Sequence, residues 1–352
     1  MKVLPHLLAL LPLFFAASSD ASPAEARGTC RHPIVRREWR RLGKLQQLDY
    51  IRAVKCLQAK PPLTSTSVAP GVGSRYDDLI VTHVQQTFTV HLVGHFLPWH
   101  RFMMAVYEKA LRNECGYHGA QPYWDWTLDV PASKFLDSPL FHPIFGFGGN
   151  GPYLPTPTTT HPDYVIPGRS GGGCVASGPF KHMQVRLGPG DDLTGNPRCL
   201  HRDMSPYFAG RYLGTNVTSL VMSQPDYGWF YRTLDGDTNP DRSSIHGGGH
   251  YAVGGNRGEM GDLHVSPTDP LFYMHHTNLD RVWWSWQKKN LPARLADISG
   301  PINILDYDNL IGGNVTLDFP LTLGVNAADV TIGDMMDIRS DKLCYVYDQV
   351  YT

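Results

Sequence analysis

Three of the histidines in one short stretch, residues 74–123, constrain the fold of this 352-residue chain more than any other feature. His83, His91 and His100 are spaced eight and nine residues apart, and the last follows an apolar Phe-Leu-Pro-Trp run. Imidazoles are the commonest metal ligands in proteins, and three of them in one stretch are typical of half a metal site. The other half must come from elsewhere in the chain and face them.

A second histidine-rich stretch, residues 244–286, supplies this facing half. His246 and His250 are four residues apart, so on a helix they point to the same side, one turn apart. The three glycines between them each disfavour a helix by about 1 kcal/mol relative to alanine. A glycine-rich loop with two unrelated histidines is therefore an equal alternative on this spacing alone, although a metal bound by both rings would stabilise the helix.

A strong helix is predicted over residues 270–290, with His275 and His276 in its first turns. Asp280 follows His276 by four residues on the same face, where a carboxylate can orient an imidazole or an arginine. A lone buried histidine is usually a core residue with satisfied hydrogen bonds. That explanation is poor for six histidines in two similar triplets, so the two stretches are predicted to form one site.

The donor set indicates which metal this site takes. Six neutral imidazoles without a neighbouring carboxylate or thiolate suit copper better than magnesium, calcium or an iron–sulfur cluster. Zinc pairs in hydrolases usually add a bridging carboxylate, which neither triplet shows. Three imidazoles per copper leave positions open for dioxygen, and two one-electron metals together provide two-electron chemistry. The predicted cofactors are two copper ions, with O2 as co-substrate.

Longer motifs around the histidines make a resemblance to a known family specific. The motifs are Phe-Leu-Pro-Trp-His-Arg at 96–101, Pro-Tyr-Trp-Asp-Trp at 122–126, Asp-Pro-Leu-Phe-Tyr-Met-His-His-Thr-Asn-Leu-Asp-Arg at 269–281 and Tyr-Val-Tyr at 345–347. They resemble the signatures of type 3 copper proteins, which comprise tyrosinases, catechol oxidases and hemocyanins. The chain is most similar to the short secreted fungal tyrosinases and catechol oxidases (polyphenol oxidases), over nearly everything after its first cysteine.

This resemblance implies a role for each residue of the site. The implied ligands are His83, His91 and His100 for the first copper and His246, His250 and His276 for the second. The neighbours expected to support these ligands are Phe96, His275 and Asp280. The residues expected to line the substrate pocket are Gly247, Tyr251 and Leu263. His95 has no counterpart among the family's ligands, and Glu259 is the candidate for the acid with which relatives steer a proton-accepting water.

The activity that the resemblance implies is oxidation of o-diphenols (catechols) to o-quinones with O2. Many relatives that also hydroxylate monophenols have Asn after the first histidine of the second site, where this chain has Gly247. We therefore expect o-diphenols to be favoured, with a full tyrosinase of strong monophenolase activity as the alternative. Leu263 matches the residue that overhangs the coppers in relatives and is smaller than the Phe of plant catechol oxidases, unless it simply packs in the core.

Three further functions share parts of the pattern. A hemocyanin-type O2 carrier uses the same ligands, but we do not expect one in a lone exported chain with an open site. A dizinc hydrolase is disfavoured by the missing bridging carboxylate. A catalytically inactive wall protein would need a lost ligand, and none is lost.

The N-terminus predicts export. Lys2, a mostly apolar run over residues 3–17 and small residues after it are typical of a secretory signal peptide, residues 1–20, cleaved between residues 17 and 26. A membrane anchor is the alternative, but the run is too short to span a bilayer comfortably. A net charge of −1 gives no reason to expect nucleic acid or an anionic membrane as a partner.

We therefore expect a secreted, extracellular protein that acts on small phenolic substrates and is a monomer or weak dimer. A single copper-binding domain is predicted over residues 28–350. Because the chain stops soon after Tyr347, we also expect no C-terminal domain that plugs the site.

Export implies an oxidising compartment, so the six cysteines are expected to be paired. Six cysteines allow 15 connectivities. The pairing favoured by their positions along the chain is Cys174–Cys199, Cys30–Cys344 and, for the remaining two, Cys56–Cys115. Acceptor sequons for glycans begin at Asn216 and Asn314.

The fold class expected is mainly α: an antiparallel four-helix bundle core that holds the dicopper site, with long loops and minor β structure, like the tyrosinase di-copper domain. Predicted helices lie at 33–59, from a cap at Ser74 into the first histidine stretch, from Pro98 to Cys115, and at 219–233, 245–253 and 270–290. Short β-like runs lie at 315–319 and 343–347, and residues 123–203 carry little regular structure.

Overall fold

The computed structural model describes residues 30–352 as a mainly helical chain with three two-stranded sheets. Its helices are α1 Lys44–Ala59, α2 Arg75–Val90, α3 Phe96–Cys115, α4 Ala132–Phe135, α5 Pro206–Tyr212, α6 Thr215–Met222, α7 Tyr227–Asp235, α8 Ile245–Gly254, α9 Leu271–Lys288 and α10 Ile332–Met335. Its strands are β1 Ile34–Arg36, β2 Gln184–Val185, β3 Arg198–Cys199, β4 Pro320–Leu321, β5 Val330–Thr331 and β6 Tyr345–Tyr347. The predicted fold class is confirmed; the signal peptide predicted for residues 1–20 lies outside the described residues.

The antiparallel bundle of α2, α3, α8 and α9 forms the centre of the molecule. Only five residues, 91–95, join α2 to α3, so these two helices pack as antiparallel neighbours. Every residue of α9 except the last is buried, and so are most residues of α3. Both helices are therefore surrounded by protein and not exposed along one face. The pairs α3–α9, α8–α9 and α2–α3 are in contact, which brings the two histidine-rich stretches together.

The ends of α2 and α3 follow from local sequence. The Ser74 hydroxyl accepts a hydrogen bond from the backbone N–H of Asp77, which confirms the predicted N-cap. The Asp77 carboxylate accepts from the N–H of Gly73 and not from that of Ser74, so Ser74 and Asp77 do not form a reciprocal capping box. At the end of α3, Gly116 adopts a left-handed conformation with φ 62°, the usual helix stop.

The helix predicted over residues 33–59 is wrong in its first third. Residues 34–36 form β1 instead, which pairs in parallel with β6 from the far end of the chain. A 3-10 turn at Trp39–Arg41 follows, and α1 begins only at Lys44. A strand from the C-terminal tail is a partner that periodicity within residues 33–59 cannot reveal.

Two other predicted elements are corrected, and one helix was missed. Residues 219–233 are divided between α6 and α7, because Pro225 cannot continue a helix and Asp226 caps the next one. Helix α5 was not predicted, although Ser205 before Pro206 is a recognisable helix start. Residues 315–319 form no strand, and the nearest one, β4, begins at residue 320.

The three favoured disulfides are all present. The Cα–Cα distances are 5.3 Å for Cys30–Cys344, 5.8 Å for Cys56–Cys115 and 5.6 Å for Cys174–Cys199. The first joins the beginning of the described chain to its tail, next to the pairing of β1 with β6. Within residues 30–352, no helix combines the length and the apolar character needed to cross a bilayer.

A buried carboxylate, Asp280 on α9, joins four parts of the fold. It accepts hydrogen bonds from the guanidinium groups of Arg101 on α3 and Arg36 on β1. It also accepts from the hydroxyls of Tyr345 and Tyr347 on β6. All five side chains are buried, so each charge depends on its partners for solvation.

We expect Asp280→Asn to destabilise the protein by about 3–5 kcal/mol, because it leaves the buried Arg101 without its carboxylate partner and removes one of the two carboxylates paired with Arg36. The free energy of unfolding in urea measures this loss. The matched control is Asp49→Asn, which breaks the exposed Asp49–Arg52 pair and should cost less than about 1 kcal/mol. Equal losses in the two variants would contradict the role given to Asp280.

Candidate metal centre

The bundle brings the six predicted histidines into two groups of three. His83 lies on α2, His91 directly after it and His100 on α3. The second group consists of His246 and His250 on α8 and His276 on α9. Within each group, one nitrogen of every ring lies within 4.8 Å of the others, which is close enough for three rings to hold one ion.

The two groups face each other across the bundle. The ring centroids of His91 and His246 are 6.0 Å apart with the rings nearly parallel, and those of His100 and His276 are 4.6 Å apart. His95 belongs to neither group; its ring lies against Phe319, with a centroid distance of 4.6 Å. His95, which the family resemblance left out of the ligand set, is thus also separate from both triads in space.

Five of the six rings are held through Nδ1 by an oxygen of the protein. The Nδ1 partners are the carbonyl of His264 for His83 (2.7 Å), of Thr87 for His91 (2.8 Å), of Phe96 for His100 (2.8 Å) and of Met260 for His250 (2.8 Å), and the Asp235 carboxylate for His246 (2.7 Å). A carbonyl oxygen only accepts, so Nδ1 must carry the proton. The lone pair is therefore on Nε2, which is the atom available to a metal.

The Nε2 atoms have the chemistry that a metal requires. Those of His83, His100 and His246 are buried and have no hydrogen-bond partner in the described chain. Orphaned buried acceptors are costly and rare, so three at one place call for a ligand. The Nε2 atoms of His250 and His276 are 3.1 Å apart, about the separation of two nitrogens that bind one ion at about 2 Å each. Imidazoles alone, without thiolate or carboxylate, fit copper.

Burial keeps these imidazoles neutral. Desolvation lowers the pKa of His91 to about 4 and that of His246 to about 3, and it lowers the pKa values of the other four well below the usual range. Positive charge on neighbouring rings would disfavour protonation further in His83 and His100. A metal binds only a deprotonated imidazole, so the six rings can bind metal at neutral and mildly acidic pH without first losing protons.

The glycines of α8 are explained by close packing. A Cβ on Gly249 would lie 2.2 Å from the His275 ring, and one on Gly248 would lie 2.8 Å from the Cβ of Tyr212. Any side chain there would push α8 away from α9 and α5. The helical alternative for this segment is therefore the correct one, because tertiary packing outweighs poor helix propensity.

Of the three residues predicted to support the ligands, Phe96 and His275 contact the histidines, whereas Asp280 bonds other residues. The Phe96 ring lies between His100 and His246, with centroid distances of 4.7 and 4.6 Å. His275 bonds the backbone carbonyl of His246 through Nε2 at 2.9 Å, so that its ring braces α8 from α9. Asp280 orients arginines, and none of its hydrogen-bond partners in the described chain is a histidine.

A pocket of about 290 Å³ opens beside the histidines. Its wall includes the predicted pocket residues Gly247, Tyr251 and Leu263 together with His246 and His250. Leu263 is 47% exposed, which rules out the alternative that it packs in the core. A Cβ on Gly247 would lie 2.3 Å from the Ser243 hydroxyl, so a larger residue there would have to displace it.

The acid beside the metal centre is not the one that the sequence suggested. Glu259 pairs with Arg198 at 3.0 Å and accepts from the N–H of His201 at 2.7 Å, and it does not line this pocket. The buried Asp235 does line it and bonds His246. Desolvation raises the pKa of Asp235 to about 6. The only sequence signal for it was an acid at the end of α7, eleven residues before His246.

The described chain has a third cluster with metal-ligand residue types, Cys174, Cys199 and His201. Its two sulfurs form a disulfide and so are not thiolate ligands. This cluster is therefore structural.

Comparisons with known proteins agree with this geometry. Residues 73–289 match the family model described as the common central domain of tyrosinase. Tyrosinase P of Aspergillus terreus is 33% identical over 338 residues, covering 90% of this chain and 93% of that protein. N-acetyl-6-hydroxytryptophan oxidase ivoB of Emericella nidulans is 35% identical over 375 aligned positions, covering 97% of this chain and 100% of that protein. A mutant polyphenol oxidase from Thermothelomyces thermophila has a similar structure, with a TM-score of 0.79, 38% identity and coverage of 90% and 89% of the two chains.

A helical bundle with two facing histidine triads defines the class of type 3 copper proteins, and the expected resemblance is confirmed. Within that class the chain belongs to the tyrosinase family. It is a copper-dependent oxidoreductase that uses a dicopper centre and O2.

Removal of the Asp235 carboxylate should weaken copper binding. A carboxylate that accepts from a ligating imidazole fixes the ring and raises its basicity, and loss of such a partner typically costs 10–100-fold in metal affinity. We expect about this loss in Asp235→Ala, measured by competition for copper with a chelator. Asp237→Ala is the control, because this exposed carboxylate pairs with Arg242 and not with a histidine. An unchanged affinity in Asp235→Ala would contradict the assignment.

His95 should contribute to acid sensitivity without binding copper. Burial lowers its pKa from 6.5 to about 4, so between these values the unfolded chain binds a proton that the folded chain does not. Stability is therefore lost as pH falls from 6.5, by about 2 kcal/mol at pH 5. In the metal-free protein, His95→Gln should reduce the difference in unfolding free energy between pH 7 and pH 5 by about that amount, whereas the exposed His161→Gln should not.

Proposed function

We propose that this enzyme oxidises o-diphenols to o-quinones at two coppers, one held by each histidine triad. The ligands are His83, His91 and His100 for one copper and His246, His250 and His276 for the other. The observation that carries the proposal is the set of inward-facing Nε2 atoms beside an open pocket. Overall, two diphenols lose two protons and two electrons each, and one O2 is reduced to two waters.

The protein's own contribution is orientation and exclusion of water. When bound, the copper pair supplies the redox chemistry with O2. The Nδ1 hydrogen bonds hold the rings in one tautomer and direction, so little reorganisation is needed when a metal binds. Phe96, packed against rings of both groups, removes water from between them. Leu263 at the entrance leaves the pocket open to a ring-sized substrate.

The alternative within the family is strong hydroxylation of monophenols. Gly247 offers no side chain to the pocket, and Ser243 occupies the space where one would begin. An amide at this position, which could help to position a proton acceptor, is thus missing. This favours diphenol oxidation, and the ratio of rates on 4-tert-butylphenol and 4-tert-butylcatechol decides between the two.

We also propose that the protein is secreted as a monomer or weak dimer, with residues 28–350 as one copper-binding domain. The signal-like residues 1–20 support export, as do three disulfides with no free cysteine in the described chain. Asn216 and Asn314 are exposed, which supports glycosylation there. Nucleic acid and membranes are not proposed as partners, because the net charge is near zero.

His100→Ala tests the proposed site. It removes one of three ligands of the first copper, so the variant should retain fewer than two coppers per chain. Its O2 uptake with 4-tert-butylcatechol should fall at least about 100-fold, since the two-electron step needs both metals. Copper content by mass spectrometry and O2 uptake by electrode measure the two effects.

The matched control is His182→Ala, which removes an exposed histidine outside both triads and should change neither quantity. Full activity in His100→Ala would refute the ligand assignment. Reversible O2 binding without quinone formation by the unaltered enzyme would indicate a carrier, and two zinc ions without copper would indicate a hydrolase.

A further inference from the structure

The entrance of the metal pocket is formed by large apolar side chains from three separate parts of the chain. Phe88 lies near the end of α2, Leu263 on the loop before α9 and Leu305 on the loop after it; they are 58%, 47% and 52% exposed. Leu92 and Ile304 complete this apolar rim. Exposed apolar residues that gather around one opening, and are not scattered singly, mark a binding surface.

The apolar rim belongs to the same cavity as the histidines. One continuous wall contains the rim together with His91, His246 and His250. The cavity of about 290 Å³ is larger than a single phenol ring needs. A substrate whose ring reaches the metal centre therefore has room for a ring substituent, and the rim is the surface that this substituent meets.

The charged side chains of this cavity, apart from any bound metal, are all of one sign. Its charged residues are Asp235, Asp237 and Asp262, and no Lys or Arg lines it among the described residues. Asp262 is tied to the backbone N–H groups of Gly190 (2.7 Å) and His264 (2.8 Å). Asp237 pairs with Arg242 at 3.3 Å outside the cavity, but that pair is exposed and screens little. A carboxylate on the ring substituent, which meets the rim and not the metal centre, would lose water there and find no Lys or Arg among the described lining residues to replace it.

Leu305 of the rim has an unfavourable backbone conformation. Its φ of 61° places it in the left-handed region, which a leucine rarely adopts. Its N–H donates to the carbonyl of Leu92, another rim residue, at 3.2 Å. This hydrogen bond joins two parts of the rim and holds the side chain at the entrance, where it is half exposed.

We infer that the apolar rim binds an apolar substituent on the ring of the phenolic substrate and discriminates against a carboxylate at the same place. The inference rests on the proposed function and narrows its substrate class to neutral, alkyl- or aryl-substituted catechols. The affinity comes from apolar area removed from water, and the discrimination comes from the uncompensated desolvation of an anion.

Three catechols of equal side-chain length test the inference on the copper-loaded enzyme. They carry a propyl, a 2-aminoethyl or a 2-carboxyethyl group at ring position 4. We expect kcat/KM for 4-propylcatechol to exceed that for the carboxyethyl compound by about tenfold or more, with the amine between them. Equal values, or a preference for the carboxylate, would overturn the inference while leaving catechol oxidation intact.

Rim variants then test which residues are responsible. Leu305→Asn replaces the apolar group by a residue that tolerates positive φ, so it changes polarity without adding backbone strain. Phe88→Ser removes the largest exposed ring. We expect each to lower the ratio of kcat/KM for the propyl and carboxyethyl substrates by about fivefold, because part of the buried apolar area is lost.

The matched control is Leu310→Asn, on the same loop as Leu305, 81% exposed and outside the cavity wall. It should leave the ratio of the two kcat/KM values as in the unaltered enzyme. Copper content and circular dichroism confirm that each variant is folded and loaded. An unchanged ratio in both rim variants would refute the inference. If no catechol is oxidised by the loaded enzyme, the proposed function fails and the inference with it.

Discussion

The metal centre depends on hydrogen bonds from five imidazole Nδ1 atoms to fixed oxygens of the protein. Such a bond decides which nitrogen carries the proton, and therefore which one presents a lone pair to a metal. His91 uses the Thr87 carbonyl, one of the last four carbonyls of α2, which have no partner within their own helix. His83 and His250 use carbonyls of the loop between α8 and α9. That loop is therefore part of the metal centre, although it contributes no ligand.

Six neutral imidazoles gathered in a dry interior are unfavourable unless the surrounding structure forces them together. Desolvation lowers the pKa of each ring, and the unpartnered Nε2 atoms add to the cost until a metal binds. The opposing contributions come from elsewhere in the fold. Gly249 allows α8 to approach His275 closely, and the buried charge cluster around Asp280 joins α3 and α9 to both ends of the described chain.

The sequence was most informative where the chemistry is local. The triads and the helix at 270–290 followed from spacing and motif, the exclusion of His95 followed from the family resemblance, and the structure places these residues accordingly. It was least informative where partners are distant along the chain. Residues 34–36 of the helix predicted at 33–59 form a strand because β6 lies beside them, and Glu259 pairs with Arg198 outside the wall of the metal pocket. Asp235 and Leu305 could not be selected, because nothing near them in sequence marks them.

The sequence by itself determined the donor set, the helices that carry it and the family to which the enzyme belongs. Those properties depend on residue type and on helical spacing, which act over a few residues. Only the tertiary structure decided which oxygens hold His83 and His250, which acid bonds His246 and which side chains surround the entrance. The bond from His83 to the carbonyl of His264 spans 181 positions, and Phe88 and Leu305, which line the same cavity, are similarly remote along the chain. Contacts of this kind arise from packing, because they exist only once α2, α3, α8 and α9 are assembled.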